Sequence, residues 1–247
     1  MLTVDINCDM GEGIGHDEAI MPFISSANIA CGYHAGDEET MKQTIRLALE
    51  KKVSIGAHPS FFDRKNFGRV EMNLRVDEIY DLVILQLRAI DRIIKEHNTV
   101  LHHVKPHGAL YNMSARDPYI SRAIAQAVKD FDHDLVLFVL SGSHSKELAD
   151  ELGLKTASEV FADRTYQDDG SLTPRSQPNA LMDDSEQAVQ QALQMVTQGT
   201  VTTVTGKTIS IVADTICIHG DGHHAMQFAK AINQELKTQG VQIKSVM

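Results

Sequence analysis

Short apolar runs alternate with amphipathic stretches along the whole chain. The runs Val4 to Cys8, Ala27 to Ala30, Val53 to Ala57, Leu135 to Leu140, Thr156 to Phe161 and Thr215 to Ile218 predict strands. So does the segment that leads from Val100 through Leu101 and Val104 into Lys105. Leu135 to Leu140 is apolar at every position, as in a parallel strand covered on both faces. Three-four spacing predicts helices over Thr40 to Lys51, Val76 to His97, Pro118 to Phe131, Ser145 to Leu152 and Gly222 to Gln239. A further helix ends near Gln198, with Asp183 or Asp184 as its cap. Asp17, Asp37 and Asp117 are the expected caps of the earlier helices. Val201 to Val204 and Thr208 to Ala213 read as a hairpin around Thr205-Gly206-Lys207. Tyr166 to Met182 reads as loop, and Phe61 to Met72 is long for a simple connection, which suits a lid or binding loop. No linker interrupts the alternation. It predicts a single α/β domain over residues 1–247, a closed or distorted (β/α) barrel of about seven mostly parallel strands.

The polar positions concentrate where the strands run out. At LHHVKPHGALYN, Pro106 removes a backbone donor and Gly108 permits a sharp turn, so the strand must stop beside Lys105, His107 and Tyr111. The same event recurs at DINCDMGEG, NIACGYHAGD, SIGAHPS and ICIHGDGHH. In parallel α/β folds such ends form the ligand site. His34, His58, His103, His107, His219, His223 and His224 all fall there; any one alone would be an ordinary core or capping residue. Alternation places Asp5, Asn7 and Asp9 on one side of the first strand, the side that faces water in a half-buried strand. Asp5, Asp9, Glu12 and Glu159 suit acid–base work if buried together, and surface loops or caps if not. A Lys that ends a buried strand, as Lys105 does, needs a carboxylate or an anionic ligand. Arg69 and Arg164 flank it from neighbouring loops.

Composition removes several classes. The net charge of −10 disfavours a nucleic-acid surface. No apolar run approaches the roughly 20 residues a membrane-spanning helix needs. The first residues carry neither a basic leader nor an apolar segment, so a cytoplasmic location is expected. The three cysteines, Cys8, Cys31 and Cys217, lack metal-type spacing and read as buried thiols. Gly206-Lys207-Thr208 imitates a phosphate loop, but Gly199 stands at the wrong distance and a strand follows instead of a helix. No HExxH-type helical pair is present. A divalent metal is still an option, with Asp9, His58 and His107 as its ligands.

DINCDMGEG, NIACGYHAGD, GAHPS, NFGR, VKPHGALYN, VFADRTY and ICIHGD, in this order, resemble the LamB/YcsF family from about Asp5 to Asp221. One departure is Phe61-Phe62-Asp63, where the family commonly has an aromatic-Pro-Asp run. The resemblance implies a barrel of the glycoside hydrolase/deacetylase kind. It also implies the A component of an ATP-dependent 5-oxoprolinase, which opens the 5-oxoproline lactam to L-glutamate as ATP becomes ADP and phosphate. The B and C components of that enzyme are the implied partners, and ATP is a co-substrate that those partners would hold; self-association is compatible with this. On this reading Asp9 and His107 transfer protons and Lys105 stabilises developing charge. Asn7, Glu12, His34, His58, Arg69, Glu159, Arg164 and His219 surround the substrate, with Arg69, Arg164 or His58 on anionic groups. Two other readings fit the same residues. One is a metal-dependent deacetylase or amidohydrolase acting alone; the other is a non-catalytic subunit that delivers substrate.

Overall fold

The computed structural model describes residues 1–182, 184–219 and 225–247. Its elements in chain order are β1 (Thr3–Met10), α1 (Asp17–Ile20), β2 (Ser26–Ala30), α2 (Glu38–Lys51), β3 (Ser54–His58), α3 (Val76–Glu96), β4 (His103–Val104), α4 (Gly108–Arg116) and α5 (Pro118–Phe131). There follow β5 (Val136–Leu140), α6 (His144–Glu151), β6 (Lys155–Phe161), α7 (Ser185–Leu193), β7 (Thr200–Thr202), β8 (Thr208–Ser210), β9 (Thr215–Ile218), α8 (Ala225–Thr238) and β10 (Gln242–Ile243). Strands β1, β2, β3, β4, β5, β6 and β9 pair in parallel, and β9 returns to β1, which closes a 7-strand barrel. The β7–β8 hairpin is antiparallel and stands apart from it. No helix among the described residues is long and apolar enough to cross a membrane.

Side-chain alternation on parallel strands gives the barrel two unlike faces. Val4, Ile6, Cys8 and Met10 of β1 point outward and join one continuous core with Ile45 of α2, Val83 and Leu87 of α3 and Val128 of α5. Asp5, Asn7 and Asp9 point inward and are buried, not water-facing, because the ring closes over them. The interior is therefore polar along β1 to β4. On β5 it is apolar, through Val136, Phe138 and Leu140, and on β6 it is mixed, with Phe161 and Ala157 on either side of the buried Glu159. Where most such barrels fill this space with branched aliphatic residues, Asn28 and His103 fill it here. The His103 ring lies flat on Phe138, and a β-carbon on Gly56 would come 2.1 Å from that ring, so β3 needs a glycine there.

Several boundaries differ from the sequence pattern. The strand expected from Val100 shrinks to His103–Val104, since Val100 is 77% exposed. Its ladder nonetheless continues through Lys105 N–H to the Ala57 carbonyl. Asp17 does not cap α1; it accepts from Gly11 N–H and the Thr44 hydroxyl and so braces the β1 exit. The stretch after Pro106 turns at once into α4, which the Pro and Gly obscure although Ala109, Leu110 and Met113 carry helical spacing. Gly108 permits that entry: its φ is +55°, and a β-carbon there would meet the Gly68 carbonyl at 2.6 Å. The final turn before Gly199 is π-helical, at Gln194–Gln198. Short β10, absent from the sequence pattern, pairs with the start of β1. Asp184 caps α7 through Glu186 N–H; Asp183, Gly222, His223 and His224 lie outside the described residues.

Candidate active site

The carboxyl ends of the strands open into a cavity of about 940 Å³. Asp9, His58, Lys105, His107, Tyr111, Phe161, Arg164 and His219 are on its wall, together with Arg69 and the loop Gln167 to Gln177. Lys105 is the hub of one half. Its Nζ lies 2.8 Å from Asp9 Oδ1, 3.1 Å from Glu159 Oε1 and 2.9 Å from Cys217 Sγ. Burial works against its charge, but Asp9, Cys217 and Glu159 overcome that and hold its pKa well above normal. Burial likewise disfavours the Asp9 carboxylate, yet the His58 and Lys105 charges keep it ionised far below the usual range. Asn28 Nδ2 donates to both Asn7 Oδ1 and Asp9 Oδ1, and Asn7 Nδ2 donates to Glu159 Oε1. Asn7 and Glu159 are fully buried beneath the cavity wall, where they position Lys105.

The other half is a group of imidazoles. His58 Nδ1 lies 2.6 Å from the Lys105 carbonyl, and His107 Nε2 lies 2.9 Å from the Phe67 carbonyl. A carbonyl only accepts, so each of those nitrogens carries its proton. The remaining nitrogens, His58 Nε2 and His107 Nδ1, then face each other at 2.8 Å. Two lone pairs cannot rest at that distance; a proton or a cation belongs in the gap. Asp9 Oδ2 stands 3.3 Å from His58 Nε2, and Glu12 Oε1 stands 3.8 Å from His107 Nδ1. His34 lies flat on His107, with ring centres 3.8 Å apart, and its Nε2 meets Glu12 Oε1 at 3.1 Å. Burial, reinforced by the His58 charge, pushes the His34 pKa down to about 3. His107 is also driven well down, by burial first and then by His34 and His58.

A metal ion would find Glu12, His34, His58 and His107 grouped here, with Asp9 against His58. The donor chemistry fits, since each outer ring nitrogen is oriented by an oxygen atom as in metal-ligating histidines. The lone pairs of stacked rings lie in nearly parallel planes that do not meet, so His34 and His107 cannot both point squarely at one ion. His58 and His107, with Asp9 and Glu12 beside them, make the better set.

The remaining residues named from sequence spread around the rim or sit below it. Arg69 covers the Phe67 ring at 4.9 Å. His219 stands within 4.8 Å of Asp9 and Cys217, with Nδ1 held by Asp163 at 2.9 Å. His103 is deep in the barrel, bonded to Asn28 Oδ1 at 2.8 Å, and takes no part in the mouth. Asp5 occupies the closed floor, where burial lifts its pKa to about 6 despite hydrogen bonds from Ser25, Thr215 and Ser26. All three cysteines are buried free thiols. Gly206-Lys207-Thr208 spans the turn of the hairpin and the start of β8, which leaves no phosphate loop there. Sequence reading did not assign Arg175, which lies in an aperiodic loop, nor a role to Tyr111, which required α4. The Tyr111 hydroxyl and Glu159 Oε2 are buried, and the two residues interact electrostatically, but neither atom makes a well-formed hydrogen bond among the described residues.

Residues 4–247 match the LamB/YcsF family. A protein of Tolumonas auensis, named as the A component of 5-oxoprolinase, is 53% identical over 251 residues, covering 100% of both chains. One of Brevibacillus brevis with the same name is 50% identical over 98% of each. The crystal structure of a lactam utilization protein from Thermus thermophilus superposes with a TM-score of 0.93 at 42% identity, covering 99% of this chain and 100% of that one. The catalytic domain of a peptidoglycan N-acetylglucosamine deacetylase from Eubacterium rectale superposes with a TM-score of 0.53 at 11% identity, over 99% of this chain and 88% of that one, a likeness of fold alone.

Proposed function

This chain belongs to the LamB/YcsF family, and on that premise we propose that it is the ring-opening component of an ATP-dependent 5-oxoprolinase. It acts in the cytoplasm with the B and C components, which spend ATP to phosphorylate the lactam oxygen. The observation that carries the reading is the contact of Asp9, Lys105, His58 and His107 at one barrel mouth. A lactam carbon is a weak electrophile until its oxygen is phosphorylated, and its nitrogen leaves only with a proton. The site supplies the matching groups. Asp9, held as the carboxylate beside Lys105, takes a proton from the attacking water, and the proton shared by His58 Nε2 and His107 Nδ1 is the acid. Asp9 also steadies the charge on the His58–His107 pair, and Lys105 stabilises negative charge on the reacting carbon's oxygen. The C–O bond forms as the imidazole pair protonates the ring nitrogen and is reprotonated from Asp9; the C–N bond then breaks with its electron pair on nitrogen, which takes the new hydroxyl's proton by the same relay. An acyl phosphate is left; a second water releases L-glutamate and phosphate.

The test is glutamate release from 5-oxoproline and ATP by this chain, by B with C, and by all three. Only the complete set is expected to turn over, and Asp9→Asn is expected to abolish turnover without unfolding the chain. Full-rate release by B and C alone would sink the proposal.

A second reading, metal-assisted amide or ester hydrolysis, is favoured by the facing lone pairs of His58 and His107. When bound, a divalent ion would polarise a carbonyl and acidify water. Cobalt(II) titration followed by visible absorption separates the readings. A tight site lost in His58→Gln and His107→Gln supports the metal, whereas absence of binding leaves a proton in the gap.

A further inference from the structure

Arg164 is only 4% exposed. Its Nε and Nη2 donate to the Ala180 and Thr173 carbonyls, at 3.1 and 2.6 Å, so neutral acceptors hold the guanidinium. The neighbouring carboxylate, Asp163, is engaged with the His219 ring and backbone N–H. No carboxylate among the described residues forms an ion pair with Arg164. An arginine this buried is rarely left without a counter-charge, because desolvating a guanidinium is costly. Asp163 offsets this only in part, because burial and then the Arg175 charge outweigh its attraction and pull the Arg164 pKa down to about 10. Both arginines line the cavity, as do Ser171 and Ser176 of the same loop.

The cavity volume, about 940 Å³, is near the top of the range of roughly 300–1,000 Å³ that drug-sized ligands use. A small lactam acid at the Lys105 side fills a fraction of it. We propose that Arg164 and Arg175 form an oxyanion subsite that takes a phosphoryl group, either that of the activated substrate or the inorganic phosphate released from it. The assignment of the phosphoryl group to an activated lactam rests on the 5-oxoprolinase reading; the anion site itself does not. The planar guanidinium fork suits a tetrahedral oxyanion, and the carbonyl anchors preset its orientation.

The test is calorimetric titration of the full chain with inorganic phosphate, with acetate and with 5-oxoproline, repeated on Arg175→Gln and Arg164→Met. Phosphate is expected to bind the unaltered chain, with affinity lower by about tenfold or more in either variant, as for loss of a charge-assisted contact. Arg175 is on an exposed loop position, so its variant reports even if Arg164→Met loosens the loop. Acetate binding as tightly as phosphate would make this a carboxylate site and overturn the phosphoryl assignment. Unchanged phosphate affinity in Arg175→Gln, or no phosphate binding at all, would overturn the subsite. Phosphate binding that depends on Arg175, in a chain that neither binds 5-oxoproline nor supports its turnover, would keep the subsite and remove the 5-oxoprolinase reading.

Discussion

Asp5 and Asp9 lie on the same inner face of β1, one at the closed floor of the barrel and the other at its mouth. Both are buried, and they titrate in opposite directions. The floor offers Asp5 only hydroxyls, from Ser25, Ser26 and Thr215, so burial wins and its pKa rises to about 6. The mouth gives Asp9 the Lys105 ammonium and the His58 ring, so charge wins and the carboxylate stays ionised. Burial alone therefore says little about a carboxylate; a cation within contact distance decides. The floor binds the strands together, while the mouth keeps an ion cluster whose value lies in chemistry.

Removing the cation breaks that contrast most severely. Lys105→Met leaves Asp9 and Glu159 without their shared counter-charge. Turnover in the three-component assay should fall by about a thousandfold. Urea denaturation should show a loss of about 3–5 kcal/mol, as when one partner of a buried pair is deleted. The Asp9 carboxyl, followed by carbon NMR, should titrate upward as Asp5 does.

The floor is tested by Asp5→Asn. A carboxyl with pKa about 6 in the folded chain and 3.8 as its reference binds more protons folded than unfolded between those values. Its stabilising contribution is present below about pH 4 and lost as pH rises through 6, about 3 kcal/mol in all. The variant should lack this slope when urea curves at pH 4, 5, 6 and 7 are compared with the unaltered chain.

His34, at the mouth, should show the reverse slope in the same window. Its folded pKa near 3 lies below the reference of 6.5, so its contribution is present above pH 6.5 and fades on acidification. His34→Gln should flatten the acid limb by about 2–3 kcal/mol at pH 4.5. If Asp5→Asn and His34→Gln shift the curves in the same direction, the floor and mouth are not electrostatically distinct.

Tyr111→Phe should have the smallest effect on stability. The hydroxyl faces Glu159 without a well-formed hydrogen bond among the described residues, so its removal should change the unfolding free energy by less than about 1 kcal/mol. Turnover should nevertheless fall by about tenfold, because the ring lines the cavity and a bound substrate would give the hydroxyl its partner. A variant that is destabilised but fully active would make Tyr111 a packing residue.

Much of this architecture was legible in advance. The alternation of apolar runs with amphipathic stretches marked every barrel strand, and turn residues marked where each one stops, as Pro106 and Gly108 do after Lys105. Asp5, Asn7 and Asp9 could be assigned to a common side of β1. These features depend on neighbours a few residues away, through backbone geometry and the two-residue repeat of a strand. Other features depend on contacts across long stretches of chain. Whether that common side met water or the barrel interior was settled by β9 closing on β1, more than 200 residues away. Ring closure likewise brought Lys105 to Asp9 and Glu159, and brought the His58 and His107 lone pairs face to face. The kinds of residue at the strand ends were thus set by sequence. Their charges, proton positions and partners were set by the fold, because electrostatic energy depends on distance in space and burial, neither of which is written in sequence order.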